Sequence, residues 1–376
     1  MAFTGKATYT AGASLPEIAE DVSDLVTINS PHETPLLDAI GDAPRVARST
    51  VHEWLEDSLL PNSDVVTAAG DADTFTPGDA GRFRVGDLLR FEGNTEVALV
   101  TAVAGGTVDV VRGYGNTDVA TIEADQAVHI IGNAALEGGD AGLARFTVRT
   151  RQQNYTQIFS STVSVSGSEL AVNQIGVRDE LAWQKNLRTR ELLRDLENSV
   201  INGVGSNTPG NATTRRTMRG LLSMIEGNQF TVGVDDFPGG PALTEAQLNL
   251  ALREIWKQSS GSVDLIVVGG REKRAINGFV ATNRRFFTAN ETYKDMVAVY
   301  ESDFGTCRVL LSRYVPTGTV LLLDSSRVAV MPLAGRSFGY VPLARTGDAE
   351  TGQMLGEYTL ELRNPSAHGV IRGFMA

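Results

Sequence analysis

The residue types in this 376-residue chain that could support chemistry are four histidines, one cysteine and a few neighbouring carboxylates. His32, His52, His129 and His368 are widely scattered, and none stands in a recognised metal-ligand pattern with another His, Cys, Asp or Glu. His52 and Glu53 are adjacent, but neighbours on a strand point to opposite faces. Cys307 with His368 is the one nucleophile–base pairing the inventory offers. Cys307 lies among apolar strand residues, where a small buried side chain is its ordinary role. Glu53 and Asp57 could face each other as an acid–base pair. No pocket signal surrounds them. The plainer reading has them decorating an exposed arm, or meeting arginines of a neighbouring chain from the Arg149–Arg151 stretch. The strand, Gly269-Gly270 and helix at 263–275 resemble the opening of a dinucleotide site. The G-x-G-x-x-G spacing is missing, and no acidic residue ends a following strand about 20 residues on. A plain strand-to-helix turn fits better. The expectation is no catalytic, cofactor or metal site.

The elements that would position any site come from length, charge and periodicity. At about 150 residues per folding unit, the length predicts two or three units. The chain is 42% apolar and 21% charged, an ordinary globular balance. It has no run of roughly 18 to 20 apolar residues, and its first residues predict no signal peptide. A lone cysteine fits folding in a reducing compartment. The net charge of −12 argues against tight binding of nucleic acid. Arg215-Arg216 with Arg219, and Arg284-Arg285, read as solvated faces or contacts to acidic neighbours.

Residues 1–48 read as an arm, with a short helix over 15–28 and a second opened by Thr34 and Pro35 and closed by Gly41. Residues 50–60 look extended, with neither alternating set cleanly apolar, so neither face suits a deep core. Residues 145–165 form a second such stretch, and Trp54, Tyr155 and Phe159 stand on this pair. Between them, 62–140 reads as a small all-β module. Val97, Leu99, Thr101 and Val103 share a face at period two, and Gly105-Gly106 marks a hairpin. Around Tyr114, glycines predict a turn with a packed tyrosine. Residues 176–203 carry Val177, Leu181, Trp183, Leu187, Leu192, Leu196 and Val200 at helical spacing, a helix of roughly 40 Å. Residues 244–340 look like an α/β unit opened by the Thr244–Gln247 capping box. Strands follow at 263–268, 306–312 and 318–323, and residues 356–374 close the chain.

The order of these parts, with several local stretches, resembles the major capsid proteins of tailed bacteriophages, whose fold is named after phage Hong Kong 97. The stretches are Pro35-Leu36-Leu37, His52-Glu53-Trp54-Leu55-Glu56-Asp57, Val111-Arg112-Gly113-Tyr114-Gly115, Ser302-Asp303-Phe304-Gly305, Ser312-Arg313-Tyr314-Val315-Pro316 and Glu357-Tyr358-Thr359-Leu360. They run in order from about 30 to 374. The resemblance implies an α+β fold of the Hong Kong 97 type. It assigns 1–48 to an N-terminal arm and 49–61 with 141–168 to an extended loop. It assigns 169–220 with 341–376 to a peripheral domain around a spine helix at 176–203, and 221–340 to an axial domain. The small all-β domain at 62–140 is an insertion relative to the basic pattern.

The resemblance further implies a non-enzymatic subunit that assembles with itself into hexamers and pentamers of an icosahedral shell. The shell would enclose double-stranded DNA without sequence-specific binding, in the virion, after assembly in the host cytoplasm. Portal, separate scaffolding and decoration proteins would be partners, with no membrane and no cofactor. Inter-subunit contacts are expected at Glu53, Trp54, Asp57, Arg149, Arg151, Tyr155 and Phe159. The competing readings are an α/β hydrolase or nucleotide-binding enzyme built on 221–340, and a β-rich adhesin using 62–140.

Overall fold

The computed structural model describes residues 30–41, 43–68, 73–140, 142, 144–172, 179–283, 299–345 and 347–374. The helix expected over 15–28, the start of the helix expected from 176, and Arg284-Arg285 lie outside the described residues. The chain divides into two compact units: residues 1–54 with 152–376, and residues 55–151.

In the first unit, α1 (Pro35–Ile40) begins with proline at its first turn, as Pro35 predicts, but the expected Thr34 side-chain cap is not made. Strand β1 (Val51–Glu56) follows and crosses into the second unit.

The second unit is a closed six-stranded barrel. Its strands are β2 (Ser63–Ala68), β3 (Thr74–Pro77), β4 (Asp87–Phe91), β5 (Val97–Ala104), β6 (Thr107–Val111) and β7 (Ala127–Asn133), in the order β2-β3-β6-β5-β4-β7. Val66, Phe75, Leu89, Phe91, Ala98, Val100, Val108 and Val128 fill the interior, and Phe75 meets Phe83 and Phe91 edge-on. A barrel of so few strands has room for side chains only. Gly105 and Gly106 both have positive φ, 63° and 88°, as a two-residue hairpin turn between twisted strands requires.

The period-two row expected in β5 does not keep one face. Ala98 and Val100 point inward, and a register shift between Val100 and Ala102 brings Val103 against the core as well. A bulge inserts one residue and so exchanges the faces. Tyr114, in a turn where Gly113, Gly115 and Asn116 have positive φ, is 42% exposed and not the packed side chain expected.

The chain returns through β8 (Thr150–Tyr155), which pairs with β1 in a two-stranded sheet. Next come β9 (Gln157–Ser166), α2 (Gly167–Ala171) and α3 (Glu180–Asn202). The Asp179 carboxylate caps α3 by accepting from Ala182 N at 2.9 Å. Leu192, Leu196, Val200 and Ile201 are buried, whereas Leu181, Trp183 and Leu187 are only half-buried. The expected stripe is therefore fully buried only in its second half, with Leu181 packing partly against the same core.

After α4 (Leu221–Met224) and β10 (Gln229–Thr231) come α5 (Glu245–Gln258), β11 (Leu265–Val268), α6 (Gly270–Asn283), β12 (Val299–Ser302), β13 (Gly305–Leu311) and β14 (Thr319–Leu323). The capping box at Thr244 and Gln247 is present. Last are β15 (Val328–Pro332), β16 (Gly339–Pro342), β17 (Ala349–Leu362) and β18 (Gly369–Arg372). A six-stranded mixed sheet runs β10-β18-β14-β11-β13-β12. Its strands divide their side chains between two cores. Leu265, Val267, Leu321, Leu323 and Val370 join the core around α3, while Ile266, Val268, Val320, Leu322 and Ile371 join the one around α5. A strand buried on both faces reads as an unbroken apolar run, which is the pattern at 265–268. The closing strand 369–372, which the resemblance assigns to the peripheral part, pairs with β14 and β10 in this sheet. In the remaining sheet, β17 pairs with β9, β15 and β16.

Candidate assembly interface

Extended segments that find little cover in their own chain are the natural place to look for contacts between copies. Among the described residues the β1–β8 ribbon is a sheet of two strands, and it and its flanks carry uncovered apolar side chains: Leu55 (62% exposed), Leu59 (93%), Phe146 (83%) and Val148 (77%). A two-stranded ribbon is at best marginally stable alone.

The root of this ribbon is firmly held. The Thr156 N–H donates to Thr50 O at 2.9 Å, closing the ribbon base. The Asn154 amide donates to Leu360 O at 2.8 Å and Arg219 O at 3.0 Å, and its oxygen accepts from Arg219 N at 2.8 Å. Strand β17 then presents Glu357, Thr359 and Glu361, all buried. Glu357 accepts from the Thr156 hydroxyl (2.5 Å) and the Arg216 guanidinium (2.5 Å). Arg336 Nε lies 2.8 Å from it, close enough for an ion pair but out of line for a hydrogen bond. The Thr359 hydroxyl donates to Tyr155 O at 3.0 Å. Glu361 meets His52 Nε2 at 2.6 Å and Arg45 and Arg363 at 3.1 Å each. The His52 hydrogen bond, aided by the two arginines and opposed by burial, holds the Glu361 carboxyl below its usual range.

The arm segment is anchored separately. Glu197 of α3 is fully buried and accepts the Leu36 and Leu37 N–H groups at 3.1 and 3.0 Å, with the Ser312 hydroxyl at 3.5 Å. It satisfies the first turn of α1, whose Thr34 makes no side-chain cap. Burial pushes its pKa up, and the nearby Asp38 charge adds to this against the hydrogen bonds.

The predicted contact residues separate by position. Asp57 and Arg149 come together at 3.2 Å within the one chain, and Thr147 donates to Asp57 at 2.7 Å; these bonds, Thr147 first, lower the Asp57 pKa. Trp54 stacks on His52 at 5.8 Å and packs partly against the core. Glu53 and Arg151 are exposed, and Tyr155 is half-buried. Phe159 is buried against Phe338 in the subunit's own core. Sequence reasoning missed Glu197, Glu357 and Glu361, since an acidic residue on a helix or alternating strand ordinarily marks a solvated face.

The candidate reaction groups are engaged elsewhere. The Cys307 thiol is buried, donates to Val263 O at 3.1 Å, and is pushed up to about 11, far from the thiolate a nucleophile needs. His368 is buried, accepts from Asp324 N through Nδ1 (3.2 Å), and burial pushes it down to about 4. At the Gly269-Gly270 turn, the Glu272 carboxylate occupies the first turn of α6 and accepts from Gly318 N at 3.0 Å. That acid would repel a phosphate, so the nucleotide reading of 221–340 is not supported. A concavity lined by Leu252, Trp256, Gly261, Phe304 and Cys307 holds about 10 Å³, room for roughly one water. Among the described residues, no group of three or more His, Cys, Asp and Glu could share a metal ion.

Charge is unevenly divided. Residues 62–140 hold thirteen acidic residues against four arginines, a net of −9, so the chain total of −12 leaves −3 for all other residues.

A family model described as SU10 major capsid protein matches residues 3–374. No curated protein matches the chain. Solved structures of similar fold include Gordonia phage Cozz, at 12% identity and TM-score 0.53, covering 99% of this chain and 98% of that one. The capsid of an empty GTA particle matches at 10% identity and TM-score 0.55, with 99% of both chains covered. The cyanophage A-1(L) capsid matches at 12% identity and TM-score 0.54, covering 96% of this chain and 98% of that one. At these identities the likeness is one of fold, the mixed α/β fold of phage capsid proteins.

Proposed function

Because the chain belongs to the SU10 major capsid protein family, we propose that its copies join through the β1–β8 ribbon and the arm into hexamers and pentamers of an icosahedral shell. It is the major capsid protein of a tailed phage and a component of the virion shell. The shell would enclose double-stranded DNA without reading its sequence and form in the host cytoplasm, with portal, scaffolding and decoration proteins as partners. No described helix is long and apolar enough to cross a membrane. The part names follow: arm 1–48, extended loop 49–61 with 141–168, peripheral domain 169–220 with 341–368, axial domain 221–340 together with the closing strand 369–372, and inserted barrel 62–140. On this reading the subunit works by contact and not by catalysis.

One observation carries the proposal. Leu55, Leu59, Phe146 and Val148 stand exposed on a ribbon whose root is tied down by buried polar bonds. Covering each such side chain in a neighbour would contribute roughly 1.5–3 kcal/mol. Glu53, Trp54, Asp57, Arg149, Arg151 and Tyr155 would line the same contact. The barrel, with its net −9, would sit on the outer surface of the shell or at a junction between capsomers, away from the dense polyanion of packaged DNA.

The test is electron microscopy and sedimentation of the chain co-expressed with the phage head genes, beside a Leu59→Asp, Phe146→Asp variant. Wild type should give shells or capsomer rings, and the variant should stay dispersed with an unchanged far-ultraviolet spectrum. A wild-type chain that remains monomeric, or a variant that assembles normally, would sink the proposal. For the barrel, Glu123→Cys in DNA-filled particles should react with a bulky polymer maleimide. Protection until disruption would place it inside.

A further inference from the structure

Strand β17 carries an unusual row. Glu357, Thr359 and Glu361 occupy one face at period two and are 3%, 0% and 1% exposed. On the alternate positions, Leu360 and Leu362 are fully buried and Tyr358 is half-buried on the other face. Stability alone does not explain the row, since buried ion pairs do about as well when replaced by well-packed apolar groups. What polar groups add is direction: an apolar contact tolerates sliding, whereas a hydrogen bond weakens steeply when misaligned.

The row's partners show which direction is being fixed. Glu361 takes His52 from β1, and Thr359 takes the Tyr155 carbonyl at the end of β8. Glu357 takes the Thr156 hydroxyl one residue further on. Both legs of the ribbon are thus bonded to one strand. Around them Arg45 from the arm, Arg216 from the segment after α3, Arg336 and Arg363 neutralise the two carboxylates. Four chain segments distant in sequence meet on three side chains.

We propose that Glu357, Thr359 and Glu361 are positioning residues that set the angle at which the β1–β8 ribbon leaves the subunit, and through it the curvature and uniformity of the shell. The inference rests on the ribbon being the assembly contact. A ribbon with a loosened root would still present its apolar side chains, but over a spread of angles. Subunits would join and close poorly.

The experiment compares wild type with Glu361→Gln, Glu357→Gln, the double variant and Thr359→Val, all co-expressed with the head genes. Three quantities are read: particle diameter distribution, melting temperature of unassembled subunit, and amide exchange by peptide. In Glu361→Gln, exchange in 49–56 and 150–157 should rise roughly tenfold, equivalent to about 1.4 kcal/mol, while peptides across β11 and β14 stay protected. The double variant should assemble into particles of mixed diameter and open sheets. Thr359→Val removes one hydroxyl and no charge, so it decides the matter if a glutamine variant fails to fold. It too should broaden the diameters. Uniform particles of wild-type diameter from folded double variant, or from Thr359→Val where the double variant does not fold, would overturn the proposal. So would exchange that rises equally across the whole subunit. If wild type itself forms no particles, the assembly reading fails, a result distinct from failure of the positioning role.

Discussion

Removing the Glu197 carboxylate should free the arm segment from the subunit. Helix α1 has six residues, too few to persist unaided. It is held by Leu36, fully buried, and by two N–H bonds to Glu197. In Glu197→Ala both amides lose their acceptor inside the fold. Each orphaned donor costs about 1–3 kcal/mol, so the pair costs about 2–6 kcal/mol. Burying Leu36 contributes only about 1.5–3 kcal/mol. The bonds therefore carry at least as much of the docking as the apolar contact. Part of the loss is offset, because the carboxylate is itself desolvated beside Asp38.

Amide exchange of residues 34–41 reads the outcome. Protection there should collapse in Glu197→Ala while peptides in β11 and β14 keep theirs. Unchanged protection at 34–41 would refute the reasoning. A pH series adds a signed check with Glu197→Gln. The folded-state pKa of Glu197 is raised above 4.5. Its contribution is thus fully present below the unfolded value and is lost as pH rises through the folded one. Wild-type stability relative to Glu197→Gln should be greatest below pH 4.5 and shrink above it; a difference growing with pH would contradict the burial assigned to this group.

Three further outcomes follow from buried groups. Glu96 is fully buried and bonded to Arg112 at 2.5 and 2.6 Å, to Gly113 N and to Ala120 N, so Arg112→Ala should cost the barrel about 3–5 kcal/mol, seen as new proteolytic cleavage near 113–122 with the other unit intact. Cys307, buried with its thiol pushed up to about 11, should stay unreactive toward a thiol reagent at pH 8 until denaturant is added; prompt labelling of native subunit would contradict its burial. His368 is pushed from 6.5 down to about 4, so it contributes about 3 kcal/mol that is present above pH 6.5 and lost as pH falls toward 4; denaturant midpoints of wild type and His368→Asn should converge over that window.

What the sequence made legible was local. Gly105-Gly106 specifies its turn by backbone freedom, Thr244 and Gln247 their capping box by reach, and the apolar run at 265–268 its double burial. What stayed hidden depended on remote partners. Glu357, Thr359 and Glu361 alternate with apolar residues as a half-solvated strand would, and only arginines at 45, 216, 336 and 363 make their burial tolerable. Glu197 looks like any helix carboxylate until residues 36 and 37 arrive from 160 positions away. The bulge in β5 exchanged faces without a glycine or proline to announce it.

The split of charge bears on how copies can approach. If the net −12 were spread evenly, every inter-subunit contact would bring like charge together. Residues outside 62–140 together carry only −3, and several of their cations are committed to the chain's own carboxylates, as at Glu357 and Glu361. On the proposed reading, contacts made outside the barrel would then depend on apolar area and on geometry, not on long-range attraction. On that reading, the exposed ribbon side chains would supply the area and the buried row on β17 the geometry. A row of polar groups that adds little to stability is intelligible in a subunit that must repeat one angle many times over. A small angular error per copy is harmless in a monomer and accumulates around a closed shell.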